Sequence, residues 1–308
     1  MDTITFGTRG SALARRQTET VAQLLHRHFP QLKIETTIFT TRGDKELSKP
    51  LPEIGGKGLF TAELESALRS GEIDLAVHSL KDLPTEDPRG LTIGAVLPRE
   101  NPADVLVSRA GFILTNLPHG ATVGTSSLRR AAQLLAIRPD LNIISLRGNV
   151  DTRVKKALNP AGEYDAIVLA AAGLNRMGLS GYISQILPFD VMLPAPGQGA
   201  VAVQCRMDDG TTRRLLAEIH HEPTRRAVTA ERAFLAGLGG GCSIPVGALA
   251  TQNGDTLTVR GMVAAADGSR LIHVRHSGAA TAAAQLGAEL AEMALAKGAA
   301  DILGGSYA

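Results

Sequence analysis

Tryptophan is absent from the 308 residues, and aromatic side chains make up only 3%. That scarcity argues against a stacking platform for bases or sugars. Only two cysteines occur, Cys205 and Cys242, too few for a disulfide framework, so a reducing compartment is expected. No apolar run reaches the ~20 residues of a membrane span. The start, Met1-Asp2-Thr3-Ile4, has neither the basic nor the apolar region of a signal peptide. The expectation is a cytoplasmic protein with no membrane partner. An excess of one charge is also lacking: 32 Lys and Arg stand against 30 Asp and Glu, a formal +2. Nucleic acid is therefore not an expected partner. The eight histidines show no metal-ligand spacing, and no metal is expected. What is present, 44% hydrophobic and 20% charged residues, is ordinary for a globular chain of about two domains.

Strand and helix signals alternate from the start. Thr3–Phe6 reads as a strand, followed by Gly7–Ser11 and an amphipathic helix to about Phe29. A strand at Lys33–Phe39, a turn at Thr41–Asp44, a helix over Leu59–Leu68 and a buried strand at Ile73–Val77 follow. This order predicts a parallel α/β sheet. The pattern then repeats. Val123–Ser126 opens a second unit, with a helix from about Ser127 to Ile137. Phe29-Pro30-Gln31-Leu32 matches Arg138-Pro139-Asp140-Leu141, and Arg42-Gly43 matches Arg147-Gly148. A Gly-Glu-x-Asp lead precedes an apolar strand at Gly71–Asp74 and again at Gly162–Asp165. Four matches in one order predict two related lobes.

Two Pro-rich crossings, Leu97–Pro102 and Leu193–Gly199, predict that the chain leaves the first lobe and returns to it. The strand Ala200–Cys205 then adds to the first sheet. Expected boundaries are 1–97 with 198–217 for lobe 1, 102–192 for lobe 2 and 219–308 for a small α+β domain. That domain has a helix near Thr224–Leu235, a Gly-rich loop at Gly239–Ser243 and strands around Ala248–Ala264 and Arg270–His276. An Ala-rich helix starts at about Ala279. Paired hinges between two lobes make a cleft, a common ligand site.

Arginine placement is the strongest chemical signal. Between Ala121 and Lys156 lie seven basic residues, Arg147 and Arg153 among them, against two acidic ones. Arg129 and Arg130 fall in the first turn of a predicted helix, where cations are disfavoured and anions favoured. Arg9 holds the related turn of lobe 1. Arginine grips carboxylate or phosphate with a planar fork, so a cleft for a polycarboxylate competes evenly with a solvated basic face. Asp82, in Val77-His78-Ser79-Leu80-Lys81-Asp82-Leu83-Pro84, follows a buried strand, where open α/β sheets place ligands. It either serves acid–base work or caps a turn before Pro84; His78 reads as packing at a strand end. Gly55-Gly56-Lys57-Gly58 lacks the spacing of a phosphate loop and reads as a flexible loop. Cys242, within Gly239-Gly240-Gly241-Cys242-Ser243, is an accessible thiol suited to covalent chemistry. Cys205 fits a buried, inert role.

These segments together resemble the porphobilinogen deaminase family over essentially the whole chain. The carriers are GTRGSALARRQ at 7–17, TRGD at 41–44 and IGGKGLFTAELE at 54–65. They continue with DLAVHSLKDLP at 74–84, VGTSSLRRAAQL at 123–134 and SLRGNVDTR at 145–153. LPAPGQGAVAVQCR at 193–206 and GGGCSIPVG at 239–247 complete the set. The resemblance implies two hinged α/β lobes of periplasmic-binding-protein type II architecture plus a small α+β C-terminal domain. It implies a monomeric transferase of tetrapyrrole and haem biosynthesis that joins four porphobilinogens head to tail into hydroxymethylbilane, releasing four ammonia molecules. By similarity Cys242 holds a dipyrromethane cofactor through a thioether, and Asp82 is the catalytic carboxylate. Lys81, Asp82, Ser127, Arg129 and Arg130 would bind the cofactor. Arg9, Ser11, Gln17, Arg147, Arg153, Arg176 and Gln198 would bind substrate. Gly239 stands where many relatives carry an acidic residue, and Glu53 where some carry Lys. The rival reading is a two-lobe solute-binding protein for a polyanion, without catalysis.

Overall fold

A computed structural model describes residues 3–45, 58–240 and 244–304. The first sheet has the order β2-β1-β3-β10-β4. Its members are β1 (Thr3–Arg9), β2 (Lys33–Phe39), β3 (Leu75–Ser79), β4 (Leu91–Val96) and β10 (Val201–Arg206). The second sheet, β7-β6-β8-β5-β9, is built from β5 (Asp104–Ser108), β6 (Thr122–Gly124), β7 (Asn142–Ile144), β8 (Ala166–Ala170) and β9 (Gln185–Ile186). In each sheet three parallel strands are followed by one antiparallel strand that arrives from the other lobe: β10 beside β3, and β5 beside β8. That doubled order is the type II binding-protein arrangement.

The repeat seen in the sequence is a repeat of hydrogen bonds. Ser11 caps helix Ala12–His28 by accepting from the Ala14 N–H, and Ser127 caps helix Leu128–Ile137 by accepting from the Arg130 N–H. Such a cap satisfies one orphan donor and is worth about 1 kcal/mol. Both helices stop before proline with matching backbone angles, φ −131°, ψ 74° at Phe29 and φ −132°, ψ 78° at Arg138. A residue preceding proline is driven out of the helical region. The Asp of each Gly-Glu-x-Asp lead ties its strand to the neighbour. Asp74 accepts from the Thr5 N–H at 2.9 Å and Asp165 from the Thr122 N–H at 2.8 Å.

Helix Ala12–His28 buries Ala14, Gln17, Thr18, Val21 and Leu25, the i, i+3, i+4, i+7 stripe of a helix on a sheet. Val21 and Leu25 join Ile4, Phe6 and Leu75 in the lobe core, each such side chain contributing roughly 1.5–3 kcal/mol by burial. Thr41–Asp44, read above as a turn, includes the start of a one-turn helix, Arg42–Lys45.

The third unit is an antiparallel sheet, β11 (Val246–Asn253), β12 (Thr256–Ala264) and β13 (Leu271–Ala279). Helices Glu222–Gly237 and Ala283–Ala296 cover one face, with Phe234, Val259, Val274 and Leu290 between the layers. The Ala-rich helix was expected from about Ala279. Instead Ala279 pairs with Thr256 as the last rung of β13, and the helix begins at Ala283. Ladder bonds to β12 prevail there over alanine's helix preference. No helix among the described residues is long and apolar enough to cross a membrane.

Candidate active site

Both crossings between the lobes meet at one place. Glu100 N–H donates to the Gly199 carbonyl at 3.1 Å, and a Cβ on Gly199 would lie 2.3 Å from the Glu100 oxygen. Only glycine permits that approach, at a φ of 87°. Above this junction the carboxyl ends of the strands from both lobes face a narrow cleft.

Lobe 1 supplies Gln17, Ser79 and Lys81 to its lining. Gln17 is buried in the helix stripe and its amide donates to the Ser79 hydroxyl at 2.9 Å. Lys81 and Asp82 form the single turn Leu80–Asp82 that follows β3. Lys81 Nζ donates to Gln198 Oε1 at 3.3 Å. Burial, and then the nearby charge of Arg130, pushes its pKa down to about 8. The negative charge of Asp82 opposes that shift and acts likewise on Arg153 of the other lobe. His78 is buried in β3, and burial lowers its pKa to about 4, leaving it a neutral packing residue. The guanidinium of Arg9, an expected anion-binding group, pairs with Asp44 and lies 4.3 Å from the Phe60 ring centre.

Lobe 2 supplies Arg130, Arg153 and Arg176. Arg153 leaves helix Val150–Leu158 and donates through Nε to the Gly148 carbonyl at 2.7 Å. Burial, then the charges of Arg130 and Arg147, pushes its pKa down to about 10. Arginine at that value is still fully charged, and the shift records how closely these cations are gathered. Arg176, at the end of helix Ala171–Arg176, donates to the Gly199 carbonyl at 2.7 Å, which ties it to the second crossing.

Arg129 and Arg130 owe their place at a helix N-terminus to a residue outside the sequence-derived set. Asp104, the first residue of β5, is fully buried. It accepts from Arg129 Nη1 at 2.7 Å, Arg130 Nε at 2.9 Å and Gln198 Nε2 at 3.0 Å. Burial works to raise the Asp104 pKa, yet the two guanidiniums hold it well below the carboxylate range. Arg129 spends its remaining contact on the Leu193 carbonyl at 2.6 Å and does not line the cleft. Arg130 lines it while donating to the Val168 carbonyl. Gln198, fully buried in the second crossing, therefore links Lys81 of one lobe to Asp104 and its arginines in the other.

Glu231 is a second buried carboxylate that the sequence-derived set omits. It takes both Arg99 Nη groups at 2.6 and 3.0 Å, the Gly197 N–H at 2.7 Å and the Ala250 N–H at 2.8 Å. Both crossings are thus clasped to the third domain. Its signal was present: Glu231 interrupts the buried face Thr224, Ala227, Val228, Phe234 of its helix. The same helix sends Arg232 to the Pro84 and Thr85 carbonyls, and Gly240 approaches the Thr85 hydroxyl closely, a Cβ there lying 3.2 Å away. Gly240, two positions before Cys242 in sequence, therefore lies against Thr85, three positions after Asp82. Cys242, Ser243 and Lys57 fall outside the described residues. Cys205 is buried, and burial lifts its thiol to about 11, an inert group.

The family profile "Porphobilinogen deaminase, dipyromethane cofactor binding domain" matches residues 4–214, and "Porphobilinogen deaminase, C-terminal domain" matches residues 225–296. A porphobilinogen deaminase of Roseiflexus sp. (strain RS-1) is 51% identical over 98% of this chain and 99% of its own. One from Pelotomaculum thermopropionicum is 52% identical over 97% and 96%. Such identity along the full length of both partners does not favour a solute-binding protein. The chain belongs to the porphobilinogen deaminase family.

Proposed function

We propose that this enzyme is a cytoplasmic, monomeric transferase that polymerises four porphobilinogens into hydroxymethylbilane. The reading rests on one observation above others: Lys81, Arg130, Arg153 and Arg176 converge on one cleft, where the charge of Asp82 acts on both Lys81 of lobe 1 and Arg153 of lobe 2. Each pyrrole carries an acetate and a propionate. Burying such charges unpaired is prohibitive, and fixed arginines offset that cost. The donor set fits a dipyrromethane: cations for its carboxylates, and the Gly-rich approach to Cys242 beside the Asp82 turn.

In this reading Lys81, Ser127, Arg129 and Arg130 hold the cofactor, with Arg129 acting from behind through Asp104. Arg9, Ser11, Gln17, Arg147, Arg153, Arg176 and Gln198 hold substrate. When bound, the dipyrromethane supplies the free pyrrole α-carbon that primes the chain. Asp82 stabilises the positive charge that develops on a pyrrole nitrogen as ammonia departs. It also accepts the proton released when the new carbon–carbon bond forms. The pocket lined by Gln17, Lys81, Arg130, Arg153 and Arg176 is about 90 Å³, against the ~300–1,000 Å³ of an ordinary ligand pocket. In this reading the lobes part about their crossings as the chain grows. Domain limits of 1–97 with 198–217, 102–192 and 219–308 put the hinge at those crossings.

Intact mass of the purified protein, followed by digestion, tests the reading. An increment of two porphobilinogens less two ammonias on Cys242 is expected. A chain still unmodified after incubation with porphobilinogen would refute it.

A further inference from the structure

Away from the cleft, a groove of about 510 Å³ lies between the C-terminal sheet and the second lobe, lined by Asp190, Leu193, Arg260, His273, Arg275 and Lys297. Its chemistry is unusual for a domain junction. Arg260 and Arg275 are directly paired across β12 and β13, so their Cβ atoms stand roughly 4.5–5.5 Å apart on one face, and like charges so opposed are destabilising. Packing does not call for this pair: the apolar core of the domain is on the other face. Lys297 adds a third cation, its Nζ donating to the His273 carbonyl at 3.2 Å. Among the lining residues one acid answers them, the exposed Asp190, which pairs with Arg260. Arg275 is exposed, and no hydrogen bond or ion pair holds its guanidinium among the described residues. Burial, then the charges of Arg260 and Lys297, lowers the His273 pKa, a sign of the positive field in the groove.

We propose that this groove is a second anion site, taking a compact polyanion with phosphoryl or carboxylate oxygens and bridging the C-terminal domain to the Phe189–Leu193 segment of lobe 2. Two adjacent guanidinium forks suit an ion with two oxyanion centres close together. The groove's volume lies within the range of small-molecule sites. Arg260 also donates to the Phe189 carbonyl, so the bound ion would rest on a side chain already fixed to both domains. The site is separate from the catalytic cleft and shares no lining residue with it.

Calorimetric titration of the cofactor-loaded enzyme at low salt tests this, with inorganic pyrophosphate in one arm and citrate in the other. Saturable 1:1 binding of either ion is expected, and the stronger arm identifies the oxyanion preferred. Arg275→Gln should weaken it by about tenfold or more, the loss of a charge-assisted hydrogen bond. Asp190→Asn, which removes the competing acid, should tighten it. Arg153→Gln, a cleft variant, should leave it unchanged. Turnover of Arg275→Gln should match the parent. Absence of saturable binding in both arms, binding untouched by Arg275→Gln, or binding abolished by Arg153→Gln would each overturn the proposal.

Discussion

The two lobes share caps, helix exits and strand-tethering aspartates, yet their charges are arranged in opposite ways. In lobe 1 the arginine of the first strand-to-helix turn, Arg9, is matched by its own carboxylate, Asp44. What remains facing the cleft there is an amide, a lysine close to its titration range and the Asp82 turn. In lobe 2 the arginines are gathered so closely that, beside burial, the charges of Arg130 and Arg147 lower the pKa of Arg153, and one buried acid, Asp104, serves two of the group. Duplication accounts for the scaffold; the charges follow function. In the proposed function lobe 2 supplies most of the anion-binding arginines, and lobe 1, through Asp82, handles protons.

The sharpest way to break that comparison is to remove one group from each side. Asp82→Asn should lower kcat by roughly 10²–10⁴, the range for a lost acid–base group, with KM and thermal midpoint little changed. Arg153→Gln should act mainly on KM, by about tenfold. Steady-state kinetics on both variants decides it, and an Asp82→Asn effect confined to KM would collapse the division.

Stability contrasts the two arginine–acid arrangements. Asp104→Ala leaves two buried guanidiniums uncompensated and should cost about 3–5 kcal/mol in urea unfolding. Asp44→Ala breaks a partly exposed pair and two hydrogen bonds from Thr41, and should cost less, about 1–2 kcal/mol.

Lysine 81 gives a pH signature. Its pKa in the folded enzyme is about 8, against 10.5 for the free side chain. Its charge is present below pH 8 and lost as pH rises through that value, so KM should climb above pH 8. Lys81→Gln should flatten that limb. Between these two pKa values the unfolded chain binds more protons than the folded one, so this residue makes stability rise with pH there. Such a rise should be absent from the variant's unfolding curves.

The smallest effect probes the shared scaffold. Asp165→Ala should cost about 1 kcal/mol, one hydrogen bond to a backbone N–H. Asp74→Ala should cost more, because Asp74 also pairs with Arg206 at 2.9 Å. Equal costs in thermal unfolding would show that the Arg206 pair adds nothing.

Legibility in the sequence followed the range of the interactions. Caps, pre-proline exits and the Gly-Glu-x-Asp leads act within a few residues, so the twofold repeat was readable. Strands β4, β5 and β9 went unread. Short runs buried on both faces, such as Val105–Val107, lack the alternation that marks a strand. At the site, cationic residues were legible because seven crowd one stretch with few acids. Their compensating carboxylates were not, since Asp104 meets Arg129 from 25 residues away and Glu231 meets Arg99 from 132. The partner of Arg9 was hidden for the same reason: Asp44 is 35 residues distant.

The most direct test of the division between lobes follows chain growth by mass on the loaded enzyme. Substoichiometric and then saturating porphobilinogen would be added to Asp82→Asn and to Arg153→Gln. The account predicts that Arg153→Gln builds the normal ladder of one to four added units, only at higher substrate concentration. Asp82→Asn should retain its cofactor and add units slowly or not at all at any concentration. A normal ladder from Asp82→Asn, or an Arg153→Gln enzyme stalled even at saturation, would contradict it.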